Sequence, residues 1–304
     1  MNAISVKNLT KTYGSVNAVD NISFSVEKGS LIGFLGVNGA GKSTTINMMS
    51  TLLEPNSGNI EICGCDIKKD SRKVREKTGI VYQNNVLDDL LTVKENLLCR
   101  GMLRCTDKKQ AIARLTELEE IFSLTDILKK KYHTLSGGQK RRCEIAAALM
   151  HTPKVLILDE PTTGLDPSAR REVWRTIEQL RKKTKMTVFL TTHYMEEAAG
   201  ADKIIIISKG RIVAEGLPHE LKEKYAADYL KIYCDNSQKT ELLKNLALNG
   251  TKYTDESYGL KISLASTKDA LPLLEKAENI FEGFEVIQGT MDDVFLNATK
   301  EDIH

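Results

Sequence analysis

Between its charged and turn-forming stretches the chain carries short runs of apolar residues with no alternation. Ser30–Leu35, Val155–Leu158, Thr187–Leu190 and Lys203–Ser208 are of this kind, each bounded by charges or turns. A strand covered on both faces reads this way, because neither face needs polar positions. These runs are predicted as buried, centrally placed strands. Leu91–Met150 is different: rich in Leu, Lys, Glu and Ala, with no strand pattern. Within it, Asp107–Phe122 sets Ile112, Leu115, Leu118, Glu119 and Phe122 at helical spacing, with charges on the other face. Residues 1–215 are expected to form one mixed α/β domain with a helical subdomain at about 84–150.

The pattern changes near Gly216-Leu217-Pro218. A linker at 216–228, with a helical stretch at Glu220–Lys224, is expected to lead to a second domain at 229–304. There the order reads strand Tyr229–Cys234, helix Lys239–Leu248, strands Lys252–Thr254 and Leu260–Leu264, helix Lys268–Ala277, strand Phe284–Ile287 and helix Met291–Thr299. A βαββαβ order with a closing helix suits a small ferredoxin-like α+β domain.

Composition narrows the function. A length of 304 residues fits two domains. Lys and Arg number 43 against 41 Asp and Glu, a net +2. That excludes a strongly basic nucleic-acid binder, so no nucleic-acid partner is expected. The apolar runs are far shorter than the roughly 20 residues a membrane-crossing helix needs. The N-terminus lacks the charged start and apolar core of a signal peptide, so a cytoplasmic location is expected. The cysteines, Cys63, Cys65, Cys99, Cys105, Cys143 and Cys234, match no zinc spacing. Cys63-Gly64-Cys65 reads as two reduced thiols, with a redox pair as the alternative.

The sharpest chemical signal is Gly36-Val37-Asn38-Gly39-Ala40-Gly41-Lys42-Ser43-Thr44, which fits G-x-x-x-x-G-K-[ST]. It follows the apolar strand and precedes a predicted helix at Thr44–Leu53, the context the motif requires. Glycines let the backbone wrap a phosphate, and N–H groups at the helix start supply positive potential. Lys42 would reach the β- and γ-phosphates and the Ser43 hydroxyl would ligate Mg2+. Val155–Leu158 ends in Asp159 and Glu160. Asp159 is placed to hold Mg2+, and Glu160 to orient or deprotonate an attacking water. Leu135-Ser136-Gly137-Gly138-Gln139 offers a second backbone cradle at a helix start; a plain helix cap is the alternative.

With Gln83 in Ile80-Val81-Tyr82-Gln83 between these motifs, and His193 just past Thr187–Leu190, residues 1–215 resemble an ATP-binding subunit of the ATP-binding-cassette (ABC) transporter family. The resemblance implies a P-loop NTPase core of ABC type, with ATP and Mg2+ bound. Tyr13 is similar to the aromatic that stacks on adenine. Gly36, Asn38, Gly39, Ala40, Gly41, Lys42, Ser43 and Thr44 resemble the phosphate loop. Gln83 resembles the glutamine that contacts Mg2+ and water and senses the membrane partner. Leu135, Ser136, Gly137, Gly138 and Gln139 resemble the signature, which acts in trans across a dimer. Asp159 and Glu160 resemble the magnesium and catalytic acids. Gly164, Leu165 and Asp166 resemble the loop that crosses the dimer interface, and His193 the switch histidine on the γ-phosphate. Val37 departs from the family's usual proline, and Cys143 from its usual aliphatic residue.

The resemblance further implies a homodimer on the cytoplasmic face of a membrane, bound peripherally to separate polytopic permease subunits. The helical segment and the Gln83 loop would form the groove for a helix of that partner. Thr92 and Glu95 lie in a stretch similar to this contact, and also fit a capping box. Gly289-Thr290-Met291-Asp292-Asp293-Val294-Phe295-Leu296 resembles the closing segment of the daunorubicin-resistance branch, whose permeases are of the ABC-2 exporter type. The same residues also fit an ordinary amphipathic end helix. A soluble assembly or translation ATPase, and an importer ATPase, stand as alternatives.

Overall fold

The computed structural model describes residues 1–103, 107–246, 252–277 and 280–300, in two compact units that divide at Leu217/Pro218. Cys105 and the last two residues of the predicted Lys239–Leu248 helix lie outside the described residues.

The first unit opens with two long antiparallel strands, β1 (Asn2–Tyr13) and β2 (Val16–Glu27), followed by β3 (Leu31–Leu35) and helix α1 (Lys42–Met49). A short hairpin, β4 (Ser57–Ile62) and β5 (Cys65–Asp66), precedes α2 (Ser71–Lys77) and β6 (Thr78–Val81). Three helices follow, α3 (Val93–Met102), α4 (Lys108–Ile121) and α5 (Gly137–Ala148). The chain then returns through β7 (Val155–Asp159), α6 (Pro167–Thr184), β8 (Thr187–Thr192), β9 (Lys203–Ser208) and β10 (Arg211–Gly216).

These strands make two sheets. One has the order β2-β1-β4-β5; the other has the order β10-β9-β3-β8-β7-β6. In the second, β6, β7, β8, β3 and β9 run parallel, and β10 closes the edge antiparallel to β9. The four apolar runs read from the sequence are β3, β7, β8 and β9, at the centre of this sheet. Every residue of β3, β7 and β8 is buried. Phe24, Phe34 and Phe189 meet with ring centroids 5.3 to 5.9 Å apart. They join β2 to β3 and β8, each such pair contributing about 0.5–1.5 kcal/mol beyond its buried area. Ile46, Met48 and Met49 of α1 belong to the same core as residues from both sheets. The loop before α1 is thereby held at the carboxyl end of a central parallel strand, where open α/β sheets place ligands.

Sequence and structure differ in places. Helix α1 begins at Lys42, earlier than the predicted Thr44, and ends at Met49, short of the predicted Leu53. Gly41 takes a left-handed φ of +111°, and a Cβ there would lie 2.4 Å from the Ala18 carbonyl. That turn admits the helix one residue later. Residues 216–228 are not a free linker. They hold the end of β10, helix α7 (Pro218–Tyr225) and the start of the next strand. Helix α7 belongs to the second unit, where Asn297 Nδ2 donates to the Tyr225 carbonyl at 2.8 Å.

In that second unit α7 is followed by β11 (Asp228–Tyr233), α8 (Asn236–Leu246), β12 (Tyr253–Glu256), β13 (Gly259–Leu264), α9 (Ala270–Lys276), β14 (Gly283–Ile287) and α10 (Met291–Lys300). The sheet order is β12-β13-β11-β14, with all pairs antiparallel. This is the βαββαβ arrangement of a ferredoxin-like sheet. Leu230, Ile232, Leu260 and Ile262 alternate with polar neighbours and pack against Leu242 and Leu246 of α8.

Candidate functional site

The expected phosphate loop, Gly36–Thr44, spans the turn between β3 and α1 and the first turn of that helix. Gly36 is as constrained as Gly41, since a Cβ there would lie 2.7 Å from the Ile207 carbonyl. Ala40 N–H donates to the Val37 carbonyl at 3.1 Å, and the Thr45 hydroxyl to the Gly41 carbonyl at 2.9 Å. The exposed stretch Val37–Gly39 and exposed Ser43 flank a buried Lys42.

Lys42 is 5 % exposed yet carries an ammonium group. Its Nζ donates to the carbonyls of Gly36 (2.7 Å) and Val37 (3.2 Å) and pairs with Glu160 Oε1 at 3.3 Å. The other Glu160 oxygen accepts from the Thr163 hydroxyl at 3.0 Å and lies 3.1 Å from His193 Nδ1. One carboxylate thus links the phosphate loop, the end of β7 and the residue following β8. Burial raises the Glu160 carboxyl, but Lys42, the Thr163 hydroxyl and His193 outweigh it and hold the group below the usual glutamate range. Asp159 has the opposite balance. Burial pushes its carboxyl up, against the Thr191 hydroxyl that donates to Oδ1 at 2.7 Å. Asp159 and Ser43 are hard oxygen donors of the kind Mg2+ accepts. A buried carboxylate that ionises reluctantly is one that a divalent cation would favour. The residues present therefore fit Mg2+.

Leu135–Gln139 begins helix α5. Ser136 accepts from Gln139 N–H at 3.4 Å, and the Gln139 side chain accepts from Ser136 N–H at 3.1 Å, a capping box. Within the same chain a Cβ on Gly137 would meet Leu165 of the loop before α6, and one on Gly138 would meet Ala169 in the first turn of α6. Among the described residues, no hydrogen bond or ion pair of the signature reaches Gly36–Thr44. Asp166 caps α6 by accepting from Ser168 N–H and Ala169 N–H, which holds its carboxyl below the usual range.

A family described as ABC transporter matches residues 19–163. Over 99% of this chain and 96% of the relative, the sequence is 37% identical to the daunorubicin resistance ATP-binding protein DrrA3 of Streptomyces coeruleorubidus. The chain belongs to the ABC transporter family. It is 42% identical to the Nod factor export ATP-binding protein I of Burkholderia orbicola, over 76% of each chain. The ATP-binding cassette MJ0796, solved as a dimer in a post-hydrolysis state with ADP and Pi, superposes with a TM-score of 0.64. That match has 28% identity and covers 71% of this chain and 98% of MJ0796. This ABC chain is an ATP-binding ATPase.

In this ABC protein Gly36–Thr44, Glu160 and His193 meet in one cluster, with Asp159 beside it on the end of β7. Among the described residues, no hydrogen bond or ion pair joins Gln83 or Tyr13 to this cluster. Gln83 is exposed beyond the end of β6. Tyr13, 52 % exposed, ends β1 with the Lys11 ammonium 5.6 Å above its ring. The sequence reading missed several residues at the cluster. Thr191 also accepts from Glu160 N–H at 3.0 Å, and Thr163 holds the Glu160 carboxylate. Glu197 accepts from the hydroxyls of Thr162 and Thr192 and pairs with Arg170, whose guanidinium lies 3.9 Å above the Tyr194 ring. Threonines near strand ends read as ordinary β formers, so nothing local marks them.

Proposed function

We propose that this ABC ATPase powers an exporter, with two copies closing on ATP and separate membrane subunits of the ABC-2 type carrying the cargo. The observation that carries the catalytic part is the Lys42–Glu160–His193 cluster, which joins the phosphate loop to the acid at the end of β7. ATP would lie over Gly36–Thr44 with its adenine against Tyr13, and Ser136 and Gly138 of a second copy would close over the γ-phosphate. Ser43, Asp159 and Gln83 would hold Mg2+, which neutralises charge developing on the transferred phosphoryl group.

A triphosphate would draw the Lys42 ammonium onto its β- and γ-oxygens. Glu160 would then lose its main charge partner, its carboxylate would become more basic, and it could orient and deprotonate water. His193, on the opposite side of Glu160 from Lys42, would hold the γ-phosphate. Among the described residues no helix is long and apolar enough to cross a membrane. We therefore assign transport to partner subunits, with this chain on the cytoplasmic face. A cavity of about 320 Å³ lined by Tyr82, Val86, Arg100, Leu103 and Glu144 would receive a partner helix. Val86 and Leu103 at its rim are 46 % and 76 % exposed.

The export reading rests on relatives whose names state drug resistance and Nod factor export. Its test is copurification of the tagged chain from detergent-solubilised membranes. A stoichiometric polytopic ABC-2-type partner supports the reading. Recovery of the chain alone, still hydrolysing ATP, overturns it.

A further inference from the structure

The most heavily bonded side chain beside the catalytic cluster is one that none of the functional motifs includes. Arg141 lies one turn into α5 and is 5 % exposed. A buried guanidinium ordinarily pairs with a carboxylate. This one spends its donors on four backbone carbonyls. Nε donates to Pro161 (2.6 Å), Nη1 to Tyr82 (2.6 Å), and Nη2 to Asp159 (3.0 Å) and Glu160 (2.9 Å).

Those carbonyls belong to two segments. Three surround Glu160, whose backbone has φ +45°, a left-handed conformation in a residue with a Cβ. Such a conformation is strained and persists only where its surroundings hold it. The fourth carbonyl, of Tyr82, directly precedes Gln83. One turn further along α5, Glu144 accepts from Val86 N–H (2.8 Å) and Leu87 N–H (3.0 Å). Segment 82–87 is thus tied to α5 at both ends.

We infer that Arg141 is a positioning residue for ATP hydrolysis: it holds the left-handed turn that aims the Glu160 carboxylate, and it fastens that turn to the segment leading into Gln83. A fork of planar, fixed donors suits this task, since one rigid group can bridge carbonyls from two segments. Lysine has the charge without the fork. The inference rests on the catalytic assignment of Glu160, which Glu160→Gln tests separately in the same assay: a rate within twofold of the parent there refutes that assignment, whatever the Arg141 variants do.

The test is steady-state ATPase of Arg141→Met and Arg141→Lys, with binding of a fluorescent ATP analogue and the melting temperature measured on each. Among the described residues, no hydrogen bond or ion pair joins Arg141 to Gly36–Thr44. The expected result is therefore a split: kcat falls about tenfold or more, as misplacement of a catalytic group costs, while KM and the analogue's Kd stay within about twofold. Arg141→Lys retains the buried cation, so it carries the test if Arg141→Met does not fold. A folded variant with kcat within twofold of the parent overturns the inference. So does a loss of kcat matched by an equal rise in KM and Kd, which is what general loosening of the fold produces.

Discussion

Glu160 occupies a position where three demands meet on one carboxylate, and each makes a testable statement. Its partners Lys42, Thr163 and His193 keep it ionised below the usual glutamate range. Its charge therefore adds stability above the ordinary glutamate pKa, and that contribution is lost only as pH falls through the lower folded value. Asp159 has the reverse sign. Its raised pKa means that ionisation inside the fold costs stability once pH exceeds the ordinary value of 3.8. Asp159→Asn is expected to raise the melting temperature at pH 7, while hydrolysis collapses. The gain should shrink as pH approaches that ordinary value, and thermal melts across pH check it; an unchanged difference at all pH values would refute the assignment. Lys42→Ala is expected to lose most nucleotide binding, measured by titration with the fluorescent analogue. The motif residues were legible because each is a rare residue type at a fixed spacing after a recognisable strand. Arg141 was less so. It shares a helix face with Gly138 and Ile145, and a charge on a face of small and apolar residues is the one available signal.

At the scale of elements, the central strands β3, β7, β8 and β9 were readable because continuous apolar runs have little else to become. β1, β2 and β4 were not, because their outer faces are polar and their registers are broken by irregularities, as between Val6 and Leu9. Helix α5 carries two duties at its start. Ser136 and Gln139 form the capping box, so Ser136→Ala should cost about 1 kcal/mol of stability apart from any effect on hydrolysis. A functional role in trans separates from this structural one by mixing: Ser136→Ala combined with Lys42→Ala should regain partial activity from heterodimers with one intact composite site. No activity in the mixture, with both variants folded, would argue against a site shared between copies. Helix α3 begins with the same device, Thr92 with Glu95, which puts the segment after the 82–87 stretch on a fixed footing.

Taken as a whole, the molecule separates ATP chemistry from whatever the second unit does. All of the proposed nucleotide-binding and catalytic residues lie within Met1–Leu217. That span alone is expected to fold and bind ATP, which circular dichroism and nucleotide titration would check. The boundary was legible at Gly216-Leu217-Pro218, but α7 was not expected on the far side. A helix that follows a turn reads as a connector until its packing partner is known, and α10, against which α7 lies, is more than sixty residues later in the chain. Charged substitutions at the rim of the 320 Å³ cavity, Val86→Asp with Leu103→Asp, should abolish copurification of membrane partners and leave the isolated chain's ATPase rate unchanged.

Glu160 is expected to complete a composite ATP site formed by two copies of the chain. The decisive experiment is light scattering of Glu160→Gln, with and without saturating ATP. The prediction is a shift from the 33.9 kDa chain mass to twice that mass on adding ATP, reversed when Lys42→Ala is introduced in the same chain. A mass that stays at one chain while bound ATP is verified in the same sample would contradict it.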